Sequence, residues 1–304
     1  MRLNKLLPFA AILITAACAR SEAECPPGDG IVLQVLGSGG PIADDGRASS
    51  GYIVWIDGVS RVLIDAGGGT FLRFGESGAR FTDLDFVGLS HFHTDHSADF
   101  PALLKSGNFS GRKRPLHVAG PDADGRFPGL EAWLERMLEK ESGAYAYLAG
   151  YLDGTGGLSI LLAKEVSGER PTLVYTSDDI VVEAMHVPHG VVPAVAFKVS
   201  VGEDTLVFAS DQNGSKAAFV DFAKDASLLV MHLVVPEGAS GVARRLHAPP
   251  SVVGLTAEKA RARKLVLSHF MARSLDGLEA NVEIVDSNYS GEIVLAEDLA
   301  CIRL

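Results

Sequence analysis

The chain has 304 residues, of which 47% are hydrophobic, 33 are Gly and 3 are Cys. These proportions exclude a disordered chain, a collagen-like fibre and a disulfide-dense miniprotein, and the length suits one large α/β domain or two smaller ones. With 27 Lys and Arg against 38 Asp and Glu, the net charge is -11, so the chain has no general attraction to phosphate backbones or anionic membranes. A nucleic-acid partner is therefore not expected.

Residues 1–19 have the pattern of a signal peptide. Arg2 and Lys5 precede an apolar run over 6–17, which is shorter than the ~20 residues of a membrane-spanning helix. Two cleavage sites remain open: one before Arg20, and a lipobox-like site at Cys18 that would add a lipid and give the only expected membrane contact. Either site predicts an exported, periplasmic protein.

Cys25 and Cys301 remain after either cleavage. Because disulfides persist outside the cytosol, we predict that these two residues pair. Two unbonded cysteines remain the alternative, since the sequence does not show whether their Cα atoms come within ~7 Å. Residues 20–30 are expected to form a linker, and 31–304 the folded domain.

Apolar runs bounded by turn residues predict five strands in the first part of the domain, at 31–36, 51–56, 61–64, 85–89 and 116–119. The Gly-rich turn after the first strand, 37–40, would expose backbone amides that suit an anionic substrate. A helix over 130–140 follows, because its apolar residues recur on one helical face.

Residues 142–170 change character, with several Gly and three Tyr, and are expected to form a flexible insertion or lid beside the site. Strands are predicted at 172–175, 180–186, 194–199 and 206–209. Beyond them, strands at 228–235, 265–267 and 292–296 alternate with helices at 255–263 and 275–285. Two successive strand-rich blocks indicate two sheets between two layers of helices.

A histidine cluster follows the fourth predicted strand. His91, His93, Asp95 and His96 place three imidazoles and a carboxylate within six residues. Neutral imidazole and carboxylate are good ligands for zinc-class cations, and a turn between a strand and a helix can aim them at closely spaced ions. The alternative is a surface stretch of unusual local composition.

Four ligands are too few for two metal ions. Further candidates are His189, Asp211 and His269, each at or just beyond the carboxyl end of an apolar strand, where open α/β sheets place their ligands. Each of these residues alone could equally be a buried structural residue. Together with the cluster they predict a metal site.

These motifs resemble those of the metallo-β-lactamase-fold hydrolases, and within them the ribonuclease Z and arylsulfatase-like group. The resemblance extends to Leu36-Gly37-Ser38-Gly39-Gly40-Pro41 and Leu63-Ile64-Asp65-Ala66-Gly67, and covers most of 31–304. It implies a single α/β domain built as an αββα sandwich. It also implies two zinc ions: one held by His91, His93 and His189, a second by Asp95, His96 and His269, with Asp211 bridging them.

Asp65 is a candidate for a supporting role, and Asp95 and His247 for catalytic roles. Asp65 is suited to orient a ligand imidazole, although a turn before Gly67 would also explain it. Asp95 and His247 are the candidate catalytic residues, with His247 as general acid because it occupies the position of a histidine that assists the leaving group in ribonuclease Z. This chain lacks two motifs of the family: it has His247-Ala248-Pro249 in place of His-Ser-Thr, and His232-Leu233 in place of His-Glu. The other histidines are interpreted as structural, namely His117, His186 and His232.

The signal peptide, the candidate ligands and the family resemblance together favour an exported dizinc hydrolase. In such an enzyme a hydroxide shared by the metals attacks small phosphodiesters or aryl sulfates. Ribonuclease Z activity is disfavoured by the export signal and the acidic composition. A β-lactamase or a lactone or thioester hydrolase remains an alternative, as does a binding protein that keeps the fold without metals. The sequence leaves the oligomeric state open, with a homodimer among the alternatives.

Overall fold

The computed structural model describes Cys25 and residues 28–304. The predicted signal peptide, with Cys18, and most of the linker therefore lie outside the described residues. A disulfide joins Cys25 to Cys301, whose Cα atoms are 5.6 Å apart, so the predicted pairing is confirmed. None of the helices within the described part of the chain is long and apolar enough to cross a bilayer.

The described residues form two seven-stranded mixed sheets. The first sheet contains, from one edge to the other, β14 (Cys301–Arg303), β1 (Ile31–Gly37), β2 (Gly51–Ile56), β3 (Val59–Ile64), β4 (Phe86–Gly88), β5 (Leu116–Pro121) and β6 (Leu161–Val166). β3, β4, β5 and β6 run parallel, and the pairs from β14 to β3 are antiparallel.

The second sheet has the same plan. Its order is β13 (Glu292–Leu295), β12 (Lys264–Ser268), β11 (Leu228–His232), β10 (Asp204–Phe208), β9 (Val192–Val201), β8 (Ile180–His189) and β7 (Thr172–Thr176). β10 to β13 are parallel, whereas β7, β8, β9 and β10 pair antiparallel.

Alternation along the strands distributes apolar side chains between two cores. In β3, Val62 and Ile64 join the core between the sheets, whereas Leu63 between them faces the helices outside the first sheet. Successive side chains of a strand point to opposite faces, so a strand that is apolar on both sides is covered on both sides. This arrangement makes the molecule four layers thick.

Helices form the two outer layers. α1 (Thr70–Glu76), α3 (Phe100–Asn108) and α4 (Leu130–Leu138) pack on the first sheet; α6 (Ala218–Phe222), α8 (Pro250–Ala260) and α10 (Leu278–Asp286) pack on the second. Shorter helices are α2 (Thr94–Ser97), α5 (Gly150–Asp153), α7 (Gly241–Leu246) and α9 (Ala272–Leu275), with 3₁₀ turns at Ala146–Leu148 and Thr155–Gly157. The predicted αββα sandwich is confirmed.

Residues 142–170 differ from the expected lid. They contain α5, both 3₁₀ turns and the edge strand β6, and the buried Tyr151 donates a hydrogen bond to the Leu104 carbonyl at 2.7 Å. This segment is ordered because Tyr151, Leu148 and Leu161 are buried in the same core as apolar side chains of α3 and α4. Only the end of the segment, at Glu169, lines the cleft beside His189.

Candidate metal centre

Three of the site residues follow parallel strands of the two sheets, and His189 ends β8, which points in the same direction as β10. His91 comes three residues after β4, and His269 comes directly after β12. Asp211 comes three residues after β10, and His189 is the last residue of β8, which is longer than predicted. Because parallel strands end at one edge, the sandwich brings these loops together at one edge of the paired sheets.

The first cluster consists of His91, His93, His189 and Asp211. One ligand atom from each lies within 4.8 Å of all the others. Nε2 of His91 is 3.0 Å from Nδ1 of His93, and Nε2 of His189 is 3.6 Å from Oδ2 of Asp211. Burial lowers the pKa values of His91 and His93, so both imidazoles are neutral at pH 7 and offer lone pairs.

The second cluster consists of Asp95, His96 and His269, again within 4.8 Å of one another. Nε2 of His269 is 3.1 Å from Nε2 of His96 and 3.2 Å from Oδ2 of Asp95. Burial by itself would raise the pKa of Asp95, but the hydrogen bond from His269 and the attraction of His96 outweigh burial and lower it to about 2. Asp95 is therefore an anion at neutral pH.

Asp211 lies between the two clusters. Its Oδ2 faces His189, while its Oδ1 is 3.5 Å from Nε2 of His269. Burial would raise the pKa of this carboxyl, but His269, His247 and the hydrogen bond from His232 hold it well below its usual range. An ionised carboxylate between two groups of imidazoles is the arrangement that a bridging ligand requires.

Asp65 binds His96 of the second cluster through the ring nitrogen that faces away from His269. Its Oδ2 is 2.7 Å from Nδ1 of His96, and it accepts hydrogen bonds from both the backbone and the hydroxyl of Ser90. Ser90 Oγ also lies 3.1 Å from Nδ1 of His91. Binding Nδ1 of a histidine fixes its tautomer and leaves Nε2 facing inward, as metal ligation requires.

The donor set fits divalent metal ions. His189 donates its Nδ1 hydrogen to the Leu246 carbonyl at 3.0 Å, so its Nε2 carries the lone pair. This Nε2 is buried and has no hydrogen-bond partner among the described residues. A buried nitrogen without a partner is costly in a folded protein, and a cation between the facing imidazole nitrogens would satisfy it.

Backbone strain coincides with the site. Asp65, Ser210 and His269 have φ values of 60°, 60° and 55°, in the left-handed region that residues with a side chain seldom adopt. Each stands at the end of a strand, next to or at a site residue. Such strain costs of order 1–3 kcal/mol per residue and clusters at functional sites.

His247 lies beside the clusters and is buried. Its Nδ1 is 3.7 Å from Oδ1 of Asp211, and its ring lies 5.3 Å from the ring of His189. Burial lowers the pKa of His247 to about 3, although the charge of Asp211 opposes the shift. In the substrate-free protein this imidazole is therefore neutral at pH 7.

The sequence interpretation missed His232. Its Nδ1 lies 2.6 Å from Oδ1 of Asp211, and its ring packs 4.6 Å from that of His269. The signal that could have identified it is its position at the carboxyl end of a buried strand, which it shares with the other site residues. His186 and His117 lie outside the two clusters: His186 pairs with Asp122 at 2.9 Å and lines the cleft beside His189, and His117 packs against Tyr175.

The Gly-rich turn after β1 is internally bonded. The amides of Ser38, Gly39 and Gly40 donate to Asp298 Oδ1, the Ala48 carbonyl and the Phe270 carbonyl, so they are not available to an anionic substrate as the sequence suggested. The turn instead supports the site, because the Cα of Gly40 packs against the imidazole of His269.

The chain is similar to proteins named ribonuclease Z. It is 25% identical to the one from Thermobifida fusca, over 88% of this chain and 92% of the relative, and 27% identical to the one from Methanosarcina acetivorans, over 88% and 96%. Among solved structures it resembles the metallo-β-lactamase fold protein YhfI from Bacillus subtilis (TM-score 0.70, 21% identity, 90% of this chain and 99% of that one). It also resembles the short form of human tRNase Z (TM-score 0.69, 21% identity, 89% and 98%).

These relatives correct two expectations. The expected function, an exported hydrolase of small phosphodiesters or aryl sulfates, is wrong, because the similar proteins are named ribonuclease Z, a name for an RNA-cleaving enzyme. The similarity covers almost the whole length of these relatives. The expected absence of a nucleic-acid partner is wrong for the same reason. Net charge misled the prediction, since it averages the whole surface and says little about one cleft.

The family assignment rests on a separate comparison. The family model of the metallo-beta-lactamase superfamily matches residues 44–217, more than half of the chain. This region contains the histidine cluster, His189 and Asp211. The chain therefore belongs to the metallo-β-lactamase superfamily, whose hydrolase fold and His/Asp clusters it shares.

Proposed function

We propose that this protein is a metal-dependent phosphodiesterase that cleaves RNA, with a tRNA as the first substrate to test. The observation that carries the proposal is the position of Asp211, whose carboxylate lies within 3.5–3.7 Å of histidines from both clusters. The ribonuclease Z relatives, aligned over 88% of the chain, supply the substrate class.

Two zinc ions are the proposed cofactors. His91, His93 and His189 would hold one and Asp95, His96 and His269 the other, with Asp211 as the shared ligand. When bound, the metals would act as Lewis acids on the phosphodiester and lower the pKa of water. The chain itself contributes imidazoles whose tautomers are set by Asp65 and by the Leu246 carbonyl.

His247 is the proposed proton donor to the leaving oxygen. Its imidazole is neutral in the free protein, and the negative charge of a bound phosphodiester would raise its pKa, in the direction that favours the protonated form which a proton donor needs. Asp95, ionised at neutral pH, is suited to orient or accept a proton from the attacking water. The roles of Asp95 and His247 remain predictions.

A cleft of about 440 Å³ opens beside His189 and offers room for substrate. It is lined by the β8–β9 turn, by Asp124 and Glu169, and by Ser215 and Lys216, and Lys216 forms an ion pair with Glu169 at 2.6 Å. The short helix α7 precedes His247 and carries an exposed Arg245. Cationic side chains beside the clusters are suited to contact phosphates along an RNA strand.

The test is hydrolysis by the purified full chain loaded with zinc. A tRNA with a 3′ extension, an unstructured RNA, an aryl phosphodiester and an aryl sulfate are compared, each with and without a chelator. Chelator-sensitive cleavage of RNA is expected, with no turnover of the aryl sulfate. Turnover of the aryl sulfate with intact RNA would overturn the proposal.

Export remains a separate proposal. We propose that residues 1–19 direct the protein out of the cytosol, on the evidence of their charge and apolar pattern alone. Fractionation of cells expressing the full chain, beside a chain that begins at residue 20, tests this. Equal distribution of both chains would contradict export. The compartment then determines which RNA the enzyme meets.

A further inference from the structure

His232 is a buried histidine that is not among the proposed metal ligands. It is the last residue of β11, between β10, which leads to Asp211, and β12, which leads to His269. Its imidazole is 6% exposed and packs against the rings of His96 and His269. It therefore lies behind the carboxylate that the two clusters share.

The contact between His232 and Asp211 has a defined direction. Nδ1 of His232 lies 2.6 Å from Oδ1 of Asp211, and an ionised carboxylate can only accept, so the hydrogen is on Nδ1. The other ring nitrogen, Nε2, faces the hydroxyl of Tyr52 at 3.4 Å, and that hydroxyl donates to Ser268 at 2.8 Å. The imidazole is thus hydrogen-bonded through Nδ1, while Nε2 only lies near Tyr52.

The oxygen that His232 binds, Oδ1, is 3.5 Å from Nε2 of His269 in the second cluster. Oδ2 faces His91 and His189 of the first cluster and lies 3.7 Å from Nε2 of His96. A hydrogen bond to Oδ1 fixes the rotation of the carboxylate about its Cβ–Cγ bond. It therefore determines how Oδ1 is presented beside Asp95, His96 and His269.

We propose that His232 is a positioning residue that holds Oδ1 of Asp211 and thereby sets the affinity of the Asp95–His96–His269 cluster for its metal ion. Groups that orient metal ligands typically change metal affinity by 10- to 100-fold when they are removed. We expect a loss of this size at the second cluster and a smaller one at the first. The inference rests on the metal centre of the proposed function and not on its RNA substrate.

The test measures metal binding by the metal-free full chain, not hydrolysis. Competition of zinc with a chromophoric chelator gives two dissociation constants for the wild type and for His232→Phe, His232→Leu and His232→Asn. Phe and Leu remove the donor, whereas the Asn amide can replace Nδ1–H. We expect one of the two dissociation constants to rise 10- to 100-fold in His232→Phe and His232→Leu, and both constants to stay within about threefold of wild type in His232→Asn.

Controls separate this effect from a structural one. His117→Phe, a histidine on β5 outside the clusters, is expected to keep both constants, and circular dichroism reports folding of each variant. If His232→Phe does not fold, His232→Leu against His232→Asn decides the question. Equal constants in those two variants, or wild-type constants in a folded His232→Phe or His232→Leu, would overturn the proposal. Because RNA is absent, failure of the proposed substrate does not affect the result.

Discussion

His96 and His269, which are 173 residues apart in the sequence, face each other with their Nε2 atoms 3.1 Å apart. His96 stands on a helix that follows the first sheet, and His269 on a loop that follows the second. The packing of the two sheets therefore determines the geometry of the site. Substitutions that move one sheet edge relative to the other should therefore weaken metal binding even where the protein still folds.

Gly40→Ala tests this coupling. A Cβ at position 40 would lie 2.8 Å from Cε1 and 3.0 Å from Nδ1 of His269, too close for ordinary contact, so the imidazole must shift. We expect a destabilisation of about 1–3 kcal/mol in urea unfolding and weaker binding of one of two zinc ions. Gly75→Ala, where a Cβ meets nothing within 4 Å, is the matched control. Two unchanged zinc affinities in Gly40→Ala would contradict the prediction.

Asp211→Asn removes the charge that faces both clusters while it keeps the side chain's size. We expect zinc content to fall and hydrolysis of RNA to drop at least about 100-fold. Measurement of bound zinc after dialysis, together with initial rates, checks the expectation. Asp221→Asn, at an exposed carboxylate on α6, should leave zinc content unchanged. A fully active Asp211→Asn would rule out a shared carboxylate.

His247→Ala tests the proton donor through the leaving group. RNA cleavage releases an alkoxide that needs a proton, whereas a nitrophenolate leaves without one. We expect kcat on RNA to fall by about 10²–10⁴-fold and kcat on a nitrophenyl phosphodiester to fall much less. Equal losses on the two substrates would indicate that His247 acts by binding or packing instead.

Arg245→Ala tests for a phosphate contact on the helix that precedes His247. If this exposed side chain contacts a phosphate, KM for RNA should rise and the slope of log K against log salt should decrease by about 1. The loss should be larger for RNA than for a small phosphodiester. Arg80→Ala, at an exposed arginine that pairs with Asp83, serves as the comparison. Identical salt slopes for wild type and Arg245→Ala would show that no phosphate is bound there.

Cys25→Ser/Cys301→Ser tests the disulfide. The bond closes a segment of 276 residues, so its loss should reduce the free energy of unfolding by about 2–5 kcal/mol, because the unfolded chain gains conformational freedom. Urea unfolding of oxidised wild type, reduced wild type and the double variant measures this. Reductant should destabilise the wild type and leave the double variant unaffected. An effect of reductant on both would point to another cause.

Much of the fold could be predicted, because apolar runs such as Ile31–Gly37 and Lys264–Ser268 give a clear signal that does not depend on the rest of the chain. β6 was missed because the adjacent charged residues Lys164 and Glu165 interrupt its apolar residues, and only its pairing with β5 reveals it as a strand. The continuation of β8 to His189 was missed because Pro188 resembles the end of a strand.

The site followed a similar pattern. His91 to His96 could be recognised because the ligands are adjacent in sequence, and the structure brings His189, Asp211 and His269 to the same place. The end of a buried strand makes His232 a candidate, but its contact with Asp211 could not be predicted, since only the packing of β11 beside β10 brings the two residues together. A contact between strands is invisible in a single sequence.

The disulfide also has a mechanical consequence. β1 and β14 pair directly, with Val32 opposite Arg303, and Cys25 is bonded to Cys301 beside them. A pulling force applied between the two ends of the folded domain would be carried by one covalent bond at the edge of the first sheet. The strands that lead to the candidate metal ligands would bear almost none of that load, so stretching an oxidised molecule should leave the two His/Asp clusters intact.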